Sequence, residues 1–134
     1  LRPDFAYISF DPFASYFSKA PYFHKKLVSK IISELMPKRL IACDLPSTSR
    51  ATLTGCEDYQ LLHIKATYPE PRGKVNIVEE PGVLAAGYIV SVEGEFRSVK
   101  LLPGEKEVTS KIEDGRTIIT LPQINGYDMF CLCR

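Results

Sequence analysis

Few residues in this chain are of a type and spacing that could do chemistry. His63 lies in Tyr59-Gln-Leu-Leu-His-Ile-Lys-Ala66, an alternating stretch that predicts a strand with Leu61, His63 and Lys65 on one face. A histidine there could be a general base or a ligand. No Ser or Cys has a spacing that establishes a nucleophile beside it, so it reads as a structural or surface histidine. His24 falls in the first turn of an expected helix, next to Lys25 and Lys26, a poor setting for an acid. Acidic pairs occur at Glu57-Asp58, Glu79-Glu80, Glu93/Glu95 and Glu113-Asp114. Glycoside hydrolysis needs two carboxylates held apart across a sugar cleft. These pairs sit in or beside turn signals, where solvated charge is expected.

The four cysteines are Cys43, Cys56, Cys131 and Cys133. Cys131 and Cys133 share one face of an expected strand. A zinc site would need two more ligands, and His24 and His63 have no zinc-like spacing. The cysteines therefore read as reduced thiols serving as small hydrophobes. No Gly-rich phosphate loop, EF-hand or HExxH is present, so no metal, no cofactor and no catalytic residue is assigned. Seven Tyr, seven Phe and no Trp leave Tyr59, Tyr68 and Tyr88 as candidate sugar contacts, against the alternative that they pack with their hydroxyls at solvent or a carbonyl.

The elements that must position these residues fall into two parts. Residues 1–39 carry seven Lys/Arg against three Asp/Glu, and residues 40–134 carry ten against thirteen. Net charge over all 134 residues is only +1, which gives no electrostatic case for nucleic acid or an anionic membrane. No apolar run approaches the roughly 18–20 residues needed to span a bilayer. In the first part, Phe5-Ala-Tyr-Ile-Ser-Phe10 reads as a strand broken by Asp11-Pro12, and Phe13–Phe17 as an aromatic stretch of about one helical turn. From Tyr22 to Met36 the period is helical, with Phe23, Leu27, Val28, Ile31, Ile32, Leu35 and Met36 recurring at three and four. This stripe must be buried against something, which makes Phe23, Leu27, Val28, Ile31, Ile32 and Leu35 a candidate docking face.

After residue 40 the period changes to two. Short strands are expected at 40–43, 50–54, 59–66, 75–78, within 83–92, and at 96–102, 108–112, 117–121 and 127–133. Residues 68–73 read as a loop. Asp114-Gly115 is a strong hairpin signal. The pattern predicts a mainly β chain. Its expected form is an antiparallel β-sandwich of about 7–9 strands at roughly eight-to-twelve-residue spacing, preceded by one strand and one amphipathic α-helix. The domain boundaries follow as 1–39, a strand-helix remnant of a preceding α/β domain, and 40–134, the sandwich.

The order of segments carries a resemblance. Phe10-Asp-Pro-Phe13, Tyr16 and the helix ending in Leu35-Met-Pro37 resemble the last strand and helix of the glutamine-amidotransferase-like domain in the β-galactosidase trimerisation family of glycoside hydrolases. Leu45-Pro-Ser-Thr48, Ala51-Thr-Leu-Thr54, Leu62-His-Ile64, Val99-Lys-Leu-Leu-Pro103 and Leu121-Pro-Gln-Ile-Asn-Gly-Tyr-Asp-Met129 are similar to stretches of that family's C-terminal β-sandwich. Ile64-Lys-Ala-Thr67 departs from its pattern. In that family the catalytic glutamates lie in an upstream (β/α)8 barrel, to which no segment here corresponds.

The resemblance implies a non-catalytic C-terminal accessory module of a multidomain, β-galactosidase-like glycoside hydrolase. Its expected partners are the upstream domains of the parent protein, or a second copy in a homo-oligomer, with carbohydrate reached only through the parent. A free-standing carbohydrate- or protein-binding module is the alternative, and a small enzyme in its own right a third. The start, Leu1-Arg-Pro-Asp, shows neither an initiator Met nor a signal-peptide h-region. That start suggests a chain cut from something longer. With no disulfide framework, a cytoplasmic location is favoured.

Overall fold

The computed structural model describes residues 5–55, 58–78 and 80–134. The chain divides into two compact units, Leu1–Arg39 and Leu40–Arg134.

The first unit is a pair of helices, α1 (Pro12–Lys19) and α2 (Tyr22–Leu35). Asp11-Pro12, expected as a break, starts α1. The Asp11 carboxylate accepts from the backbone N–H of Phe13 at 2.9 Å and Ala14 at 3.0 Å, and Pro12 occupies the first helical position. Proline loses nothing there, because its absent N–H would have no intrahelical partner. Ala20 closes α1 in the left-handed region, its N–H bonded to the Tyr16 carbonyl. Pro21 caps α2 without a side-chain hydrogen bond. The expected strand at 5–10 does not form: Phe5 makes an isolated bridge and Ala6–Phe10 are irregular. Alternating apolar residues become a strand only where a neighbour supplies the ladder, and among the described residues this unit has no strand.

The second unit begins with β1 (Ile41–Cys43), β2 (Ser49–Gly55), β3 (Tyr59–Ala66), β4 (Glu70–Arg72), β5 (Val75–Ile77), β6 (Val83–Leu84) and β7 (Ile89–Glu93). It continues with β8 (Ser98–Leu102), β9 (Lys106–Glu107), β10 (Ser110–Glu113), β11 (Arg116–Thr120), β12 (Ile124–Asn125) and β13 (Tyr127–Cys133). One sheet has the order β1-β7-β11-β10 and the other β2-β3-β13-β8-β9, with every paired strand antiparallel. Two short pairs, β12-β6 and β4-β5, complete it. This is the antiparallel sandwich that the period-two pattern predicts.

Alternation builds the core. Leu62, Ile64 and Ala66 of β3, Val90 and Val92 of β7, Val99 of β8, Ile119 of β11, and Phe130 and Leu132 of β13 are all buried, whereas their odd-even partners are not. Register brings Phe130 opposite both Leu62 and Leu101, and Leu132 opposite Val99. Phe96 enters from the β7–β8 connection, which passes from one sheet to the other. Buried Thr117 holds that crossing. Its hydroxyl donates to the Gly94 carbonyl at 2.9 Å and accepts from the Phe96 N–H at 3.0 Å.

Turn chemistry accounts for two glycines. Glu113 pairs with Arg116, so Asp114-Gly115 is a two-residue loop, with φ of 52° and 72°. Both positive values are what the primed hairpin turn requires. Gly126, at φ 80°, stands where an added Cβ would lie 2.7 Å from the Pro81 Cβ. Its N–H reaches the Gly82 carbonyl and its own carbonyl accepts from Ala66, tying three chain segments together.

Two further expectations differ in detail, and an open one is decided. The 68–73 loop contains β4, which pairs with β5 around Gly73-Lys74. The expected 108–112 strand begins only at Ser110, as β10, because the chain crosses at Val108 and Thr109 from the sheet that holds β9 to the one that holds β10. The 83–92 segment, open in the sequence to one strand around Gly87 or two short ones, is two, β6 and β7, parted around Gly87.

Candidate functional site

The outward side of the five-stranded sheet gathers the chemistry-bearing residues. Thr54 of β2, Tyr59 and His63 of β3, Tyr127, Met129, Cys131 and Cys133 of β13, and Lys100 of β8 lie on the face opposite the core, by alternation with its buried members. His63 is held on both sides. Its Nδ1 is hydrogen-bonded to the Tyr127 hydroxyl at 2.7 Å and its Nε2 to the Thr54 hydroxyl at 2.7 Å. The His63 and Tyr127 rings stack with centroids 6.1 Å apart. Both hydroxyls can donate or accept, so the imidazole stitches β2, β3 and β13 together in either tautomer. No described Ser or Cys is bonded to it, so the contacts describe a strand clamp rather than an activated nucleophile.

Tyr59 is exposed at the start of β3, and Tyr68 lies beyond that strand's far end. β3 alone spans about 23 Å. The Tyr68 hydroxyl donates to the Val83 carbonyl at 2.6 Å, and Tyr88 is half-buried against the core. The three tyrosines thus form no common platform. The described members of the acidic pairs, Asp58, Glu80, Glu93, Glu95, Glu113 and Asp114, are exposed, and Glu57 and Glu79 lie outside the described residues. Glu113 pairs with Lys111 at 2.7 Å, and the hydrogen bond from that ammonium draws its carboxyl below the ordinary value.

Two cysteines of the outward face are close together, with Cys131 and Cys133 Sγ atoms 3.6 Å apart. Burial, followed by the hydrogen bond with Cys133, raises the Cys131 thiol above its usual range. Across the ladder from Cys131, Lys100 reaches Glu105 at 3.1 Å, and that hydrogen bond raises the ammonium. Cys43 is exposed on β1, and Cys56 lies outside the described residues. Among the described residues no group of three or more His, Cys, Asp and Glu gathers as metal ligands.

The first unit has a surface of another kind. Leu27, Val28, Ile31 and Leu35 of the candidate docking face are half-buried, while Phe23 and Ile32 remain 67% and 45% exposed. No residue of α2 is fully buried. Pro12, Phe13, Tyr16, His24, Val28 and Ser29 line a depression of about 290 Å³ between the helices. Among the described residues, no helix is long and apolar enough to cross a membrane.

Sequence reasoning missed the His63–Tyr127–Thr54 clamp. Residues 63 and 127 are 64 positions apart. The available signal was only that two alternating strands carry polar aromatics, Tyr59 and His63 on one and Tyr127 on the other, on their non-core faces.

The architecture defines the class as an antiparallel β-sandwich with a helical pair N-terminal to it. No family model matches the chain, and no curated protein matches it. A solved structure, α-L-fucosidase isoenzyme 2 from Paenibacillus thiaminolyticus, matches it with a TM-score of 0.82 and 24% identity. The match covers 94% of this chain and 20% of that one. At that identity the likeness is one of fold, and this chain spans about one fifth of the fucosidase's length.

Proposed function

We propose that this chain is a non-catalytic accessory region of a multidomain glycoside hydrolase of the β-galactosidase-trimerisation type. In this reading it packs against the catalytic body and helps assemble the whole enzyme, and the sugar is handled by the parent. The observation that carries the reading is the unequal coverage: nearly all of this chain corresponds to a fifth of a larger glycosidase. The helix stripe supports it, because Phe23 and Ile32 on α2 and Met36 at its C-cap are left exposed. Burying one such side chain stabilises by roughly 1.5–3 kcal/mol, so an upstream body covering several gains a strong anchor. Residues 1–39 are then the end of a preceding α/β domain, with α2 facing the rest of that domain.

The decisive experiment reads the coding frame upstream of Leu1. A (β/α)8 barrel with two suitably placed glutamates is expected there. A start codon directly before Leu1, or an upstream domain of unrelated chemistry, overturns the proposal. Hydrolysis of aryl-glycosides by this chain alone would overturn its non-catalytic part.

A further inference from the structure

The outward face of β13 carries three sulphur atoms in a row. Met129, Cys131 and Cys133 alternate with buried Phe130 and Leu132, so all three stand on the side away from the core. Successive members are about 6.6 Å apart along the strand. The two thiols turn toward each other, with 3.6 Å between Sγ atoms. Both are free and half-buried, placed between Leu61 and Tyr59 on β3 and Lys100 and Ser98 on β8. Met129 stands next in the row, opposite His63 and Leu102.

The spacing suits a shared metal ion. A metal–sulphur bond of about 2.3 Å puts two ligand sulphurs about 3.8 Å apart at a tetrahedral angle and about 4.6 Å apart when they oppose each other across the ion. Small side-chain rotations bring the thiols from 3.6 Å to either separation. A direct disulfide fits less well, because a two-residue strand step of about 6.6 Å sits at the upper end of the Cα range such bonds accept. Zinc fits poorly too, since structural zinc takes four nitrogen or sulphur ligands. Soft thiolate ligands select Cu(I), a d10 ion for which two opposed thiolates suffice.

We propose that Cys131 and Cys133 form a two-coordinate dithiolate chelate for Cu(I); Met129, about 13 Å along the strand from Cys133, lies out of reach of the same ion. On binding, each thiol releases its proton to solvent, two Cu–S bonds form, and no electron is transferred. The product carries one negative charge beside Lys100, the cross-strand neighbour of Cys131. This site rests on the chain's own sulphurs and stands whatever the parent enzyme proves to be.

The test uses the full chain carrying Cys43→Ser and Cys56→Ser, so that only the paired thiols remain. Anaerobic Cu(I) is supplied as its bathocuproine disulfonate complex, whose colour reports the metal withdrawn. One equivalent per chain is expected, with sulphur neighbours only in the copper X-ray absorption spectrum. Cys133→Ser should weaken binding at least 100-fold and Met129→Leu should leave it unchanged, both with unchanged far-UV circular dichroism. No withdrawal of copper, or equal withdrawal by Cys131→Ser/Cys133→Ser, overturns the site. A tenfold or greater loss of affinity in Met129→Leu overturns the two-thiolate set.

Discussion

Replacing Thr117 by Val tests whether one hydroxyl holds the crossing between the two sheets. Valine keeps the side chain's volume and suits a strand, so packing is preserved. It removes both hydrogen bonds, to the Gly94 carbonyl and from the Phe96 N–H. Phe96 is 2% exposed, so water cannot replace the acceptor its N–H loses. An unsatisfied buried group costs about 1–3 kcal/mol. The Gly94 carbonyl belongs to a half-buried residue and adds less. The expected total is about 2–3 kcal/mol. Thr117→Ser keeps the hydroxyl and loses one methyl, about 1 kcal/mol. For a unit of this size each kcal/mol lowers Tm by about 4–8 °C, so Val should melt about 10 °C or more below the parent and clearly below Ser. Urea unfolding followed by far-UV circular dichroism supplies the free energies. The chain has no Trp, so tyrosine emission serves as the second probe. A Val variant as stable as the Ser variant would refute the claim that the hydroxyl, rather than the methyl, secures the turn.

Three further outcomes are expected. Leu27→Asp with Ile31→Asp should leave the main melting transition in place, because every residue of the buried core lies between 62 and 132; loss of that transition contradicts this. Burial raises the Asp128 carboxyl above its ordinary value, so the folded state holds the proton more tightly than the unfolded one. Stability from this group is then fully present below the unfolded pKa and lost as pH rises through the folded one. Asp128→Asn should accordingly raise Tm at pH 7 and confer nothing near pH 3, and a gain of equal size at both pH values would contradict it. Gly115→Ala should cost about 1 kcal/mol from its left-handed backbone alone, with Asn at the same position costing less. An added Cβ would meet nothing within 4 Å there, so a much larger thermal shift would mean the strain argument is wrong.

The elements most legible in the sequence are those whose signal is local. Asp114-Gly115 specifies its own turn, because both positions need positive φ and the two residues supply it. β3 and β13 announce themselves through alternation that matches their burial residue by residue. Asp11-Pro12 misled for the opposite reason. The same dipeptide that ends a strand also starts a helix, and only the following aromatic segment decides between them. Phe5–Phe10 has strand-like composition, yet a strand is completed by its neighbour, and the described residues of that unit offer none.

The outward sheet face was illegible for a related reason: it exists only after register is set. Thr54, His63 and Tyr127 become one hydrogen-bonded group because β2, β3 and β13 are adjacent, and sequence order does not encode that adjacency. The sulphur row is the exception. Met129, Cys131 and Cys133 need no partner strand, only period two within β13, so a single strand suffices to place all three together. Reading the pair as two small hydrophobes overlooked that alternation had already put them on the face away from the core. Hydrophobic burial explains Phe130 and Leu132, whose side chains are sealed. It does not explain why the half-exposed positions between them carry soft sulphur, where strands ordinarily place polar or β-branched residues. The copper titration addresses that difference directly, because a purely packing role predicts no metal affinity and a chelating one predicts a single equivalent.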